Sequence, residues 1–280
     1  MSISFIVPAL ESDILEGYLF DYSVDSIYKE ILRKGDNSEI ILIMKCEKEN
    51  EDGIREEMAQ RYKGVVRCHF SNGNRSEARN LGVEHAKSNY LTFVDADTKI
   101  GENFISMTEE AFEKGYAYIC NSTRPLEEEQ LNKTRLLLYA RFMGLNQWFL
   151  TKAGVCRPYG FCMSVKKDIC EKIKTDGEIF KKKLAGHGED SVFGSEYGPY
   201  CRNHGWKGKY ESYRSFDKKT AERMRVKTSF RGWYKEGFWR GGVRMIVNTF
   251  IVPLPFIKRP LIGNWREKKK DDSAPYGNKF

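Results

Sequence analysis

A chain of 280 residues with 40% hydrophobic and 31% charged residues can bury one sizeable core, as a single large α/β domain or a domain with an appendage. The charge excess of 47 − 39 = 8 suits anionic partners (nucleotide diphosphates, phospholipid head groups or nucleic acid) without choosing among them, and it is heaviest after Lys172. No stretch reaches the roughly 20 apolar residues that span a bilayer. The opening run lacks the basic start and cleavage site of a signal peptide, and the seven cysteines form no CxxC. Reduced, buried thiols and a cytoplasmic location, extending to the inner face of a membrane, are expected.

In chain order, residues 3–7 are a short β-branched run closed by Pro8, as in a buried strand. Residues 14–33 carry helical spacing and end at Gly35, a helix stop. The run 39–44, EIILIM, lacks alternation and predicts a strand buried on both faces. A helix over 50–62, a strand over 64–70, a helix over 76–86, a strand over 90–94 and a helix over 104–113 follow. This alternation predicts a parallel sheet covered on both faces. Beyond Tyr116 it weakens: a strand at 116–121, a long helix at 127–150, a strand at 160–165, and helices at 168–183 and 191–203, the last leading into Gly205. Residues 223–255 are basic and aromatic, and 258–280 are polar, with disorder expected towards the end.

The segment 72–98 carries the most chemistry. Its apolar strand delivers Asp95-Ala96-Asp97 at the carboxyl end, where open parallel sheets hold their ligands. Two carboxylates beside an anionic substrate repel it unless a divalent cation lies between them, and hard oxygen ligands with a diphosphate suit Mg²⁺ or Mn²⁺. Acidic pairs after strands also serve as turn residues. The motifs Ala78-Arg79-Asn80-Leu81-Gly82 and Phe93-Val94-Asp95-Ala96-Asp97, in this order and spacing, resemble the family 2 glycosyltransferases of the GT-A fold. The resemblance implies that Asp97 coordinates a metal bridging the donor diphosphate. It also implies that Asp95 contacts the ribose or a metal-bound water, with Ala96 between them, and that the arginine helix flanks the donor. Arg75 and Arg79, one helical turn apart, either face one anion or are solvated and paired with Glu77 and Glu84.

The first strand resembles the family's nucleotide-packing loop in Val7-Pro8-Ala9-Leu10-Glu11, which makes Pro8, Ala9 and Glu11 donor contacts; Leu10 and Glu11 replace the usual aromatic and Asn. After the second strand the family often has paired Asp residues that recognise the base. Here Met44-Lys45-Cys46-Glu47 stands instead, leaving the base open and Lys45 either on the donor or in solvent.

A second constellation, Gly186-His187-Gly188-Glu189-Asp190, resembles the family's Gly-Glu-Asp segment, and Tyr159-Gly160-Phe161-Cys162-Met163 resembles the strand before it. A general base is needed near the acceptor hydroxyl. Asp190 takes that role, with Glu189 holding geometry or acceptor; the alternative is an acidic helix N-cap. Gly160 and His187 are placed on the acceptor side, His187 otherwise being a plain loop residue. The family's later metal-binding histidine has no counterpart in Arg214-Ser215-Phe216, and His204 reads as a helix-end cap.

The basic aromatic stretch 223–244 includes Trp233, an acceptor contact by the resemblance; aromatics among basic residues also describe a single-strand nucleic-acid surface or a docked amphipathic helix. No Gln-x-x-Arg-Trp segment is present, which favours a non-processive enzyme.

These readings combine into a GT-A, Rossmann-like α/β fold with a mixed, mainly parallel sheet flanked by helices. A catalytic domain over 1–222 (donor half to about 115, acceptor half from 116), a basic extension over 223–264 and a tail over 265–280 are expected. The activity implied is inverting transfer from a nucleotide-sugar to a glycan or lipid-linked acceptor with Mn²⁺ or Mg²⁺. The extension would meet an anionic membrane, and no nucleic acid is expected. Two alternatives stand beside it. One is a basic nucleic-acid- or membrane-binding protein on an inactive fold of this kind. The other is a sugar nucleotidyltransferase, which would need a Gly-rich loop where residues 8–13 have none.

Overall fold

Apolar runs read as strands form the centre of the molecule. The structure, a computed structural model, describes residues 1–121, 123–126, 133–156, 160–181, 189–211 and 226–229. Its strands are β1 (Ser4–Leu10), β2 (Glu39–Lys45), β3 (Val66–Phe70), β4 (Tyr90–Val94), β5 (Thr98–Lys99), β6 (Tyr116–Asn121), β7 (Thr123–Pro125), β8 (Cys162–Lys166), β9 (Lys207–Glu211) and β10 (Val226–Thr228). Its helices are α1 (Glu11–Leu15), α2 (Val24–Lys34), α3 (Glu51–Tyr62), α4 (Arg75–His85), α5 (Phe104–Glu113), α6 (Lys133–Lys152), α7 (Lys167–Ile173) and α8 (Glu189–Asn203).

The seven-stranded main sheet runs β3-β2-β1-β4-β8-β6-β9. Its first four strands are mutually parallel, β8 is antiparallel to both β4 and β6, and β9 returns parallel to β6. The mixed, mainly parallel sheet is therefore as expected. Successive residues of β1 and β2 point to opposite faces, and both faces are apolar. Phe5, Val7, Ile40 and Leu42 pack under Ile27 of α2, Met58 of α3 and Phe104 of α5. Ile6, Ile41 and Ile43 pack with Ala78 and Val83 of α4, Ile169 of α7 and Phe193 of α8. This double covering is why EIILIM shows no alternation.

β1 continues through Pro8 to Leu10 instead of closing there. Ile3 turns its carbonyl to Glu39 of β2, so alternation turns Pro8 to the β4 side. There pairing ends at Ile6–Phe93, and the missing N–H breaks no ladder. The helix expected over 14–33 is divided. Gly17, at φ 78°, ends the first turn, a π-helical turn spans Leu19–Ser23, and α2 then runs to Gly35 at φ 68°. The helix expected over 168–183 stops at Ile173. Asp176 and Gly177 both have positive φ, and Thr175 and Glu178 exchange backbone hydrogen bonds of 3.1 and 3.0 Å, a two-residue turn suited to Asp-Gly.

A three-stranded sheet, β5-β10-β7, adjoins the carboxyl end of β4. Thr98 donates to the Thr228 hydroxyl at 2.9 Å, and the Ser229 N–H to the Asp97 carbonyl at 3.2 Å. Residues from the stretch read as a basic extension thus pair beside Asp97.

Candidate active site

The motif helix α4 begins in a capping box. The Glu77 N–H donates to Asn74 Oδ1 at 3.1 Å and the Asn74 N–H to the Glu77 carboxylate at 2.8 Å, which commits Glu77 to the helix end. One turn on, Arg79 is fully buried. Its guanidinium donates from Nη1 to Glu189 Oε1 at 3.1 Å, and from Nη2 to Asp95 Oδ1 and to the Gly160 carbonyl, both at 3.0 Å. The Gly160 N–H in turn donates to Asp190 Oδ2 at 2.9 Å. The strand end carrying Asp95 and the helix start carrying Glu189 and Asp190 are thereby joined through one cation and the backbone of one glycine.

Neighbouring motif residues serve this junction. The Asn80 amide donates to the Phe180 carbonyl at 2.9 Å and accepts from the Phe180 N–H at 2.8 Å. This fixes Phe180, whose ring lies 5.5 Å from the Arg79 guanidinium carbon and stacks on Phe193 at 4.7 Å. A Cβ at position 160 would stand 2.8 Å from Arg79 Nη2, so a side chain there would displace the guanidinium from this place. Gly82 brings α4 onto β1, where a Cβ would lie 2.3 Å from Ile6 Cγ2.

At the strand end, the Asp95 N–H donates to the Phe161 carbonyl at 3.0 Å and the Thr98 N–H to the Asp95 carbonyl at 2.9 Å; Ala96 is buried inside this turn, and Asp97 is half-buried. Arg75 is half-buried too. Its pKa is raised, first by the Asp95 charge against an opposing desolvation, then by Glu189, Asp97 and Asp190. Four carboxylates therefore converge on two guanidiniums, a formal charge of −4 + 2 = −2 among the described residues. Residual negative charge on hard oxygen donors is what a divalent cation requires. No three His, Cys, Asp or Glu among the described residues are gathered to hold a metal unaided. Of these carboxylates, the strand-end pair Asp95 and Asp97 could hold such an ion if phosphate and water completed its ligands.

Pro8 and Ala9 are buried at the end of β1, with Ala9 in the core. Glu11 accepts from Asn50 Nδ2 at 2.6 Å, tying α1 to the turn after β2, and Lys45 is half-buried opposite Leu10. Gly160, read as an acceptor contact, is the backbone bridge between Arg79 and Asp190. His187, Trp233, Tyr159 and Arg214-Ser215-Phe216 lie outside the described residues. His204 caps α8, its Nδ1 2.9 Å from the Tyr200 carbonyl. All seven cysteines are free thiols. Among the described residues no helix is long and apolar enough to cross a membrane. The parts played by Asn80 and Phe180 were missed, although Asn80 stood inside the motif.

A family model described as Glycosyl transferase family 2 matches residues 4–174. The uncharacterized glycosyltransferase EpsJ of Bacillus subtilis is 32% identical over 110 residues, which are 39% of this chain and 30% of that protein. Among solved structures, S. aureus TarS 1–349 is similar at TM-score 0.55 and 16% identity, over 88% of this chain and 66% of that one. The mannosyltransferase PcManGT of Pyrobaculum calidifontis, in complex with GDP-Man and Mn²⁺, is similar at TM-score 0.59 and 14% identity, over 92% of this chain and 66% of that one. These likenesses show the fold, a GT-A arrangement. The chain spans less than two thirds of these relatives' lengths.

Proposed function

The chain belongs to glycosyl transferase family 2, and from that membership we propose that it moves a hexosyl or related sugar from a nucleoside-diphosphate sugar to an acceptor hydroxyl. The acceptor is a glycan or lipid-linked saccharide, and transfer proceeds with inversion, one sugar at a time. The observation that carries this reading is the Arg79 junction, which ties Asp95 to Glu189 and, through Gly160, to Asp190. Structures of S. aureus TarS with UDP-GlcNAc and of the mannosyltransferase with GDP-Man and Mn²⁺ support a nucleotide-sugar donor and a divalent ion.

In this reading Asp190 is the general base. The Gly160 N–H holds one of its carboxylate oxygens, and the proton of the acceptor hydroxyl passes to Asp190 as the hydroxyl oxygen attacks the anomeric carbon and the bond from that carbon to the nucleoside diphosphate breaks. Glu189 is 4% exposed and spends its charge on Arg79, which makes it the residue that fixes the start of α8. Arg75 faces the carboxylates and stays protonated, ready to offset phosphate charge. Asp97 and Asp95 would hold the divalent ion, which when bound neutralises charge on the departing diphosphate. Pro8, Glu11 and Lys45, at the ends of the neighbouring strands, border the nucleotide. The catalytic domain, expected to end at residue 222, is taken to include β10 and Ser229 as well, since they pair beside Asp97.

Release of nucleoside diphosphate from a panel of nucleotide sugars with Mn²⁺ tests the proposal. Turnover of one donor is expected, with Asp190→Asn lowering it about 10²- to 10⁴-fold and Asp97→Ala abolishing its metal dependence. No release and no calorimetric binding across the panel would overturn it.

A further inference from the structure

In the described part of helix α6, residues 144–152, polar side chains are buried and large apolar ones exposed. Asn146, Gln147 and Thr151 are buried, whereas Leu145, Trp148 and Phe149 are 62%, 46% and 60% exposed. At about 100° per residue, those three and the exposed Arg141 and Lys152 fall within an arc of about 100°. A helix that packs its polar side inward and shows water a row of large apolar side chains reverses the usual amphipathic rule. Three such side chains within two turns form a contiguous patch, unlike the scattered apolar residues of an ordinary surface.

Charge selects what covers this face. The helix contains Lys133, Arg135, Arg141 and Lys152 and no acidic residue, within a chain of net charge +8. A second copy meeting it about a two-fold axis would set the same cations against each other. Anionic head groups match both parts of the stripe, with cations at its ends and a tryptophan between them, the residue favoured where hydrocarbon meets water. Asn146, Gln147 and Thr151 on the opposite side suit a helix lying along a membrane, not one crossing it.

We propose that the Leu145–Trp148–Phe149 face of α6 docks the protein on an anionic lipid surface. Arg141 and Lys152 meet the head groups, and the aromatic rings enter the interface. This goes beyond the transfer chemistry and stands whether or not the donor is identified.

Co-sedimentation of the full chain with phosphatidylcholine vesicles, with and without roughly one third phosphatidylglycerol, tests it. Binding to the anionic vesicles should exceed that to neutral ones by on the order of tenfold or more and weaken with salt. The doubles Trp148→Ser with Phe149→Ser, and Arg141→Glu with Lys152→Glu, should each lose on the order of tenfold or more while keeping the wild-type melting temperature, since all four side chains are solvent-facing. Absence of anionic-vesicle binding overturns the proposal. Binding that both doubles retain overturns it as well, by placing the contact elsewhere in the chain, such as residues 230–264. A dimer in sedimentation velocity that Trp148→Ser disperses would show the face to be occupied by a second copy and overturn it too.

Discussion

A guanidinium with no exposed surface must be matched by the protein's own charge, because an unpaired ion removed from water costs more than a domain's net stability. Arg79 is matched in three directions, by Glu189, Asp95 and the Gly160 carbonyl. Only a planar fork reaches all three; an ammonium is a point charge on a flexible stem. Arg79→Lys should therefore keep the fold and loosen both carboxylate-bearing ends of the site, lowering turnover about 10²-fold. Arg79→Met leaves Glu189 buried without its ion-pair partner and should cost about 3–5 kcal/mol in urea denaturation. Comparable melts of the wild type and Arg79→Met would refute this role. Sequence reasoning set Arg79 facing the donor's anion or, alternatively, solvated and paired with Glu77 and Glu84; in the structure the anions it meets are Asp95 and Glu189. That the anion is carboxylate supplied by the protein, from Glu189 110 positions away, lies beyond any local pattern. The same limit hid Asn80, whose partners sit about a hundred residues downstream.

Where a helix and a strand approach closely, one glycine sets their separation. At Gly82 a methyl group would overlap Ile6 Cγ2 at 2.3 Å, so Gly82→Ala should destabilise by about 1–3 kcal/mol through overpacking. The test is a double-mutant cycle: Ile6→Ala should cost less in the Gly82→Ala background than alone, because the cavity it leaves receives the new methyl. Additive effects would show that α4 moves away from the sheet instead. Elements buried on one or both faces were legible, and β4, α5 and β6 have the bounds their apolar patterns predict. The division of residues 14–33 and the turn at Asp176-Gly177 were also written in the sequence, in glycines that helical spacing outweighed. β5, β7 and β10, with two or three residues each, are too short for periodicity to register.

Across the whole molecule, the carboxyl ends of the strands carry the candidate site while the opening ends of β1 and β2 carry a polar seam that titrates. Glu39 accepts from the Ser4 hydroxyl at 2.6 Å, the Lys87 N–H at 2.8 Å and Arg67 at 2.6 Å, so that β1, β2, β3 and the end of α4 meet on one carboxylate. Burial acts to raise its pKa, but the Ser4 and Lys87 hydrogen bonds and the Arg67 charge outweigh it and hold the group below its ordinary range. Arg67 also donates to the His85 carbonyl at 2.7 Å, and the His85 ring stacks on His69 at 3.7 Å. Burial first, then His85, Arg67 and Arg55, depress His69, with Glu39 opposing them. Both shifts have the same sign for stability, since in each case the unfolded chain binds the proton more readily. The His69 contribution is complete above the ordinary histidine value of about 6.5 and declines as pH falls below it. The Glu39 contribution is complete above about 4.3 and is lost as pH falls through its depressed folded value. Urea midpoints should therefore be level just above neutrality, begin to fall as pH drops below about 6.5, and fall again below about 4.3. His69→Phe should remove the first step and Glu39→Gln the second. Because this seam makes no contact with Arg79, Asp95, Asp97 or Asp190 among the described hydrogen bonds, His69→Phe should leave nucleoside diphosphate release near neutral pH unchanged. A first step that persists in His69→Phe would assign the loss of stability to other groups, and a fall in release would show that the β3 edge and the candidate site are coupled through α4.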